Sequence, residues 1–171
     1  MKELILGGAR SGKSALAQQR AGQSGLPVTY LATASPLDEE MAARIARHRR
    51  ERPSNWTVVE EPLALAQAMR DQADTSRCLV VDCLTLWLAN LLAEGDEQLA
   101  LEKQALLATL PGLPGHIILV SNEVGQGIVP VDSSARRFRD EAGWLHQELA
   151  RRCERVTLSV AGLPLTLKDT S

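Results

Sequence analysis

Aromatic side chains are scarce in this chain: one Tyr, one Phe and three Trp make up 3% of 171 residues. That leaves little material for the row of rings on which single-stranded nucleic acid stacks. A surplus of positive charge is lacking too. The formal net charge is −2, whereas proteins built for nucleic acid usually carry an overall basic bias. Cysteine is rare and odd in number. Cys78, Cys83 and Cys153 show no metal-type spacing and make no disulfide framework, so they read as reduced thiols. No hydrophobic run reaches membrane-spanning length, and the apolar part of "MKELILGGARSGKS" is too short for a signal peptide. The expectation is a soluble, cytoplasmic protein with no nucleic-acid partner and no membrane span. No repeat, low-complexity block or long linker breaks the chain, and its length suits one domain over 1–171 with a substantial core.

What is present is a regular alternation of segments. "ELIL" (3–6) reads as a strand running into glycines, and "KSALAQQRAG" (13–22) as a helix. "PVTYLAT" (27–33) and "WTVVE" (56–60) are strands that flank a helix, "LDEEMAARIARHRRE" (37–51). "PLALAQAMRDQ" (62–72) reads as a helix with Pro62 in its first turn. The strand "CLVVD" (78–82) leads into two helices, 84–95 and 96–110. "HIILVSN" (116–122) is a strand followed by a glycine-rich loop. A long amphipathic helix (133–153) and two closely joined strands around Gly162 complete the chain. Such alternation builds βαβ units, hence a mainly parallel sheet of six or seven strands with helices on both faces. The last two strands are joined too closely for a crossover and must be antiparallel. Ligands in such sheets bind beyond the carboxyl ends of the strands. That places the loops after Leu6, Leu31, Val59, Val81 and Ser121 together.

The first of those loops is "GGARSGKS" (7–14), which fits G-x-x-x-x-G-K-[ST] between a strand and a helix. Gly7, Gly8, Ala9, Arg10, Ser11 and Gly12 can turn successive backbone N–H groups inward around phosphates. The helix that follows adds its N-terminal partial positive charge. Lys13 is expected to bridge the β- and γ-phosphates, and the Ser14 hydroxyl to coordinate Mg²⁺. Asp82, at the carboxyl end of "CLVVD", either holds the Mg²⁺ shell or steers an attacking hydroxyl. The competing reading makes it the N-cap of the next helix. The fold class is therefore α/β: a P-loop NTPase of RecA-like, three-layer architecture, with a mainly parallel sheet and a C-terminal antiparallel hairpin. A GTPase switch would need N-K-x-D and D-x-x-G elements, and neither is present. A small-molecule kinase or nucleotidyltransferase suits the chain length.

Positive charge gathers in "IARHRRERP" (45–53), where His48 stands among arginines. On a helix, Arg44 at i−4 and Arg52 at i+4 lie beside it. Nearby cations disfavour a charged imidazole, and a neutral ring keeps the lone pair that attack on phosphorus requires. The arginines can neutralise a triphosphate and support a pentacoordinate transition state. The alternative is an exposed basic helix end whose charges suit the helix dipole. The stretch alone leaves both open.

Taken together, "GGARSGKS", "YLATA", "RIARHRRERPSNW", "VDCLTLWLANLL", "SNEVGQGIVP" and "ARRFRDEAGWLHQELA" resemble the bifunctional adenosylcobinamide kinase/adenosylcobinamide-phosphate guanylyltransferase family of cobalamin biosynthesis. The resemblance covers nearly the whole chain. It implies two successive reactions with ATP or GTP and Mg²⁺. A nucleoside triphosphate first phosphorylates the aminopropanol hydroxyl of adenosylcobinamide. GTP then gives GMP to a histidine, and the substrate phosphate takes it over to form adenosylcobinamide-GDP.

By the same resemblance, His48 matches the guanylylated histidine, while His116 and His146 are assigned structural roles. Ala32, Thr33 and Ala34 match a nucleotide-contacting loop, and Arg49, Arg50, Glu51 and Arg52 match the nucleotide-contacting run after the histidine. Glu60 matches a carboxylate of the family pattern and has the chemistry to accept from guanine N1–H and the exocyclic amine. Asn122 and Glu123 are assigned toward the corrinoid side. The P-loop holds the outer phosphates whereas guanylyl transfer occurs at the α-phosphorus, so the His48 helix is expected to swing toward the nucleotide. Homo-oligomers, trimers among them, are expected, with the "LTLWLANLL" stripe serving either the core or a contact between copies. A P-loop kinase of another small alcohol, or a GTP-binding regulatory module, are the alternatives.

Overall fold

The computed structural model describes residues 1–34 and 53–170. A seven-stranded sheet in the order β3-β2-β4-β5-β1-β6-β7 forms its centre. The strands are β1 (Lys2–Gly7), β2 (Val28–Ala32), β3 (Thr57–Glu60), β4 (Cys78–Asp82), β5 (His116–Asn122), β6 (Arg155–Val160) and β7 (Leu163–Asp169). All pairs are parallel except β6 with β7. Five α-helices occur among the described residues: α1 (Lys13–Gln23), α2 (Leu65–Gln72), α3 (Leu84–Glu94), α4 (Asp96–Thr109) and α5 (Ser133–Arg152). None is long and apolar enough to cross a membrane.

The central strands read as unbroken apolar runs because both of their faces are covered. In β1, Leu4 and Leu6 enter one core while Ile5 enters the other. On the first face, α2, α3 and α5 pack against the sheet, and α4 packs against those three helices. Leu84, Trp87, Leu88 and Leu91 of α3 sit there at helical spacing and are wholly buried. The "LTLWLANLL" stripe is thus core, and any contact between copies must use other surface. On the second face, α1 contributes Ala17 and Ala21, and Tyr30 stacks on Trp56 with ring centroids 6.4 Å apart. The small residues of α1 let it lie close to the sheet.

Trp87 ties the first layer together, since its indole N–H donates to the Leu63 carbonyl at 2.8 Å. Trp87→Ala is expected to cost about 3–5 kcal/mol, because a cavity is added to the lost burial. A lowered midpoint in denaturant unfolding would register it.

The structure differs from the sequence expectation at one helix start. Pro62 lies outside the first turn of α2, which begins at Leu65. The Glu61 carboxylate accepts the backbone N–H groups of Leu63 (2.9 Å) and Ala64 (2.8 Å), which makes a separate turn. The carbonyls of Pro62 and Leu63 accept from Asn90 and Trp87 of α3. Tertiary hydrogen bonds have taken acceptors that an earlier helical turn would have used. The helix expected over 37–51 lies outside the described residues, and the boundaries of the other elements fall within a few residues of expectation. At α5, Asp132 caps the helix by accepting from Ala135 N at 2.8 Å.

Candidate active site

The carboxyl ends of the parallel strands lie along one edge of the sheet. Gly7 is in register with Asn122 on one side and Ser159 on the other. Asp82 is in register with Ala32 and Val120. The phosphate loop leaves β1 at this edge and turns tightly, with Ser11 N donating to the Gly8 carbonyl at 3.3 Å. Arg10 (φ 55°) and Gly12 (φ 92°) take left-handed conformations. Glycine is needed at position 12, since a Cβ there would stand 3.0 Å from the Gly162 Cα. At Gly7 a Cβ would meet Ser11 Oγ at 2.3 Å and the Ser159 carbonyl at 2.7 Å.

The β6–β7 hairpin holds the loop from outside. Ser159 Oγ (2.8 Å) and Gly162 N (2.9 Å) both donate to the Ser11 carbonyl. Its turn residues Ala161 and Gly162 both have positive φ, the signature of a two-residue type I′ turn. Lys13 arches back so that Nζ donates to the Gly8 carbonyl at 3.2 Å. The α1 N-terminus has no side-chain cap, so its first-turn amides are not taken by a side chain. Loop, lysine and helix end together form an anion cradle.

Asp82 does not cap α3, whose N-cap is Cys83. Its carboxylate accepts the Tyr30 hydroxyl at 2.6 Å and is thereby aimed along the strand ends. A hydroxyl (Ser14) and a carboxylate (Asp82), completed by phosphate oxygens, are the hard oxygen donors that Mg²⁺ takes.

Thr33, wholly buried between Ala32 and Ala34, joins β2 to the β4–α3 connection. Its hydroxyl donates to the Cys83 carbonyl (2.7 Å) and accepts from Cys83 N (3.0 Å). Its carbonyl accepts from Asn90 Nδ2 at 2.9 Å. Thr33→Val is expected to destabilise the chain by about 1–3 kcal/mol, because two buried backbone groups lose their partner. Denaturant titration of the two proteins side by side measures this.

The structure does not gather every expected residue at the phosphates. Glu60 is exposed at the end of the edge strand β3. With β2, β4 and β5 intervening, it stands about 19 Å from β1 at an interstrand spacing of ~4.8 Å. It can meet a nucleotide only at the end remote from the P-loop. His48, Arg49, Arg50, Glu51 and Arg52 lie outside the described residues. His116 opens β5 at the opposite edge of the sheet. Burial, then the nearby N-terminus and arginines, push its pKa below the ordinary value.

Several site residues have no role that the sequence alone assigns. Tyr30, Asn90 and Thr85 act through contacts distant in sequence. Thr85 Oγ1 accepts from Asn122 Nδ2 at 3.0 Å and also meets Cys83 Sγ at 3.2 Å. Tyr30 offered a signal of its own: a tyrosine in a mainly apolar strand needs a hydroxyl partner.

An α/β sheet bearing a P-loop at the end of its first strand, with an acidic strand end two strands away, defines a P-loop nucleotide-binding protein. The RadB recombinase superposes on the chain with a TM-score of 0.54 over 92% of this chain and 73% of that one, at 20% identity. A protein of Pyrococcus horikoshii OT3 also gives 0.54, over 99% and 87%, at 10% identity. These likenesses establish the RecA-like fold and nothing finer. Residues 3–167 match the family model described as cobinamide kinase / cobinamide phosphate guanyltransferase. The bifunctional adenosylcobalamin biosynthesis protein CobP of Pseudomonas aeruginosa is 61% identical over 169 residues, 98% of each chain. Its counterpart CobU of Escherichia coli is 38% identical over 182 residues, covering 98% of this chain and all of that one. The chain belongs to the cobinamide kinase / cobinamide phosphate guanyltransferase family.

Proposed function

We propose that the chain, as a single domain, phosphorylates adenosylcobinamide with ATP or GTP and then converts the phosphate to adenosylcobinamide-GDP. The observation that carries this is the full-length family match, which spans the P-loop and the His48 stretch alike. In the first step the P-loop amides and Lys13 hold the triphosphate, and the alcohol oxygen attacks the γ-phosphorus. Mg²⁺ held by Ser14 and Asp82 would neutralise charge on the phosphate oxygens. In the second step His48, uncharged among its arginines, attacks the α-phosphorus of GTP and pyrophosphate departs. The phosphate of the first product then attacks the histidine-bound GMP. Arg49, Arg50, Glu51 and Arg52 would line the triphosphate path with Ala32, Thr33 and Ala34. Glu60, remote from the P-loop, would read guanine.

A cytoplasmic setting suits the three free, buried cysteines. Burial pushes the Cys78 and Cys83 thiols up to about 11 and that of Cys153 to about 12. Assembly as a homo-oligomer, a trimer for example, would cover Leu163, Leu165 and Leu167, which stand exposed along the edge strand β7.

The decisive experiment incubates the protein with Mg²⁺ and GTP labelled at the α-phosphate. An acid-labile adduct on His48 that adenosylcobinamide phosphate discharges is the expected result. A protein that phosphorylates an alcohol but never acquires label would be a plain kinase. One that binds GTP and transfers nothing would be a regulatory module.

A further inference from the structure

Two buried polar groups, Ser121 and His146, meet the half-buried Glu123 where β5 ends, and the nucleotide chemistry above uses none of them. Ser121, wholly buried on β5, lies with its Oγ 2.7 Å from His146 Nε2 of α5. His146 is only 6% exposed, and its other ring nitrogen, Nδ1, is buried without a hydrogen-bond partner among the described residues. That nitrogen faces Glu123 Oε2 at 3.7 Å, just beyond hydrogen-bond reach. The other Glu123 oxygen, Oε1, accepts from Gly125 N at 2.6 Å.

The position of Glu123 gives this trio its meaning. The sheet order is β4-β5-β1, so the loop after β5 emerges between the phosphate loop and Asp82. Glu123 N donates to the carbonyl of Gly7, the first glycine of that loop, at 2.9 Å. Its neighbour Asn122 is tied to Thr85 at the start of α3. Sheet order thus sets Glu123 between the phosphate cradle and the strand end that carries Asp82, at the edge where ligands of such sheets bind. The Glu123 side chain is 22% exposed, which leaves it open to an incoming group.

We propose that Glu123 is the general base of the phosphoryl-transfer step and that His146 is the residue that positions it. This rests on the kinase half of the proposed function. The alcohol oxygen forms a bond to the γ-phosphorus of the nucleoside triphosphate. The bond from that phosphorus to the β–γ bridging oxygen breaks, and its electron pair leaves on the nucleoside diphosphate. The hydroxyl proton passes to the Glu123 carboxylate and from there to solvent.

The serine sets the histidine tautomer. With the Ser121 hydroxyl donating to Nε2, the ring proton stands on Nδ1 and points at Glu123. Burial keeps the imidazole below its ordinary pKa, against the opposing pull of Glu123. A neutral donor orients the carboxylate without a full positive charge that would weaken it as a base. A closing shift of well under 1 Å turns the 3.7 Å approach into a hydrogen bond, which suits a site that tightens when substrate binds.

The test compares phosphoryl transfer to adenosylcobinamide and GMP transfer to His48 in the parent chain and in E123Q, H146N and H146Q. In E123Q, kcat for phosphorylation is expected to fall by about 10²–10⁴ with KM for the triphosphate little changed. GMP labelling, which uses no alcohol, should fall far less. Asparagine at 146 can supply a donor near Nδ1, whereas glutamine supplies a group only near Nε2. H146N should therefore retain most of the kinase rate that H146Q loses, although both disturb the same packing. An active parent with E123Q close to its kinase rate overturns the assignment alone. Equal losses in H146N and H146Q remove the positioning role, as does a change confined to KM. A parent that phosphorylates no alcohol overturns the functional proposal and this one with it.

Discussion

Replacing His48 with alanine is expected to bring covalent labelling by α-labelled GTP down to background while phosphoryl transfer to adenosylcobinamide survives. A covalent nucleophile has no substitute in its own step, so the loss should be complete within detection. The two activities separate because they act on different phosphorus atoms of the triphosphate. The outer phosphates belong to the P-loop, which is built by β1, α1 and the β6–β7 hairpin. Among the described residues, the contacts that hold the loop come from those elements. Rapid quench with acid-sensitive detection of the adduct, run beside a kinase assay on the same preparation, reads both. Loss of both activities in a variant that still folds would contradict a divided mechanism.

Lys13→Ala should act on both reactions, with a fall of about 10²–10³ in each kcat. On the proposed mechanism the ammonium would neutralise charge on the triphosphate whichever phosphorus is attacked. Stability should change little, because among the described residues Lys13 Nζ donates to a single carbonyl, that of Gly8, a partly buried bond worth about 1–2 kcal/mol. Measuring both rates and the unfolding midpoint on one sample separates lost chemistry from lost fold. A Lys13→Ala protein that lost only the kinase step would mean that GTP donates GMP from a different site.

Much of this was legible in the chain because the relevant signals are local. The P-loop is eight contiguous residues, and its work is done by backbone amides, so neighbours in sequence are neighbours in function. Strands β1 and β4 announce themselves as short apolar runs ending in a glycine and an acid. The residues that orient these groups were hidden. Tyr30 reaches Asp82 across 52 positions, and Ser159 reaches Ser11 across 148. The start of α2 was misjudged for the same reason, since Pro62 suits a first turn until α3 takes its carbonyl. His146 reads as structural from the chain, and folding buries its ring between Ser121 and Glu123. Its approach to Glu123 depends on where α5 crosses the end of β5.

From the chain alone, then, came the alternation of strands and helices, the phosphate cradle and the family resemblance, all carried by short-range pattern and backbone chemistry. Folding settled which strand ends stand side by side. By placing β5 between β1 and β4 it brings Glu123 beside the P-loop, and by setting β3 at the edge it holds Glu60 away from the phosphates. Sheet order is a competition among long-range pairings and helix coverings, and no short stretch of residues encodes its outcome.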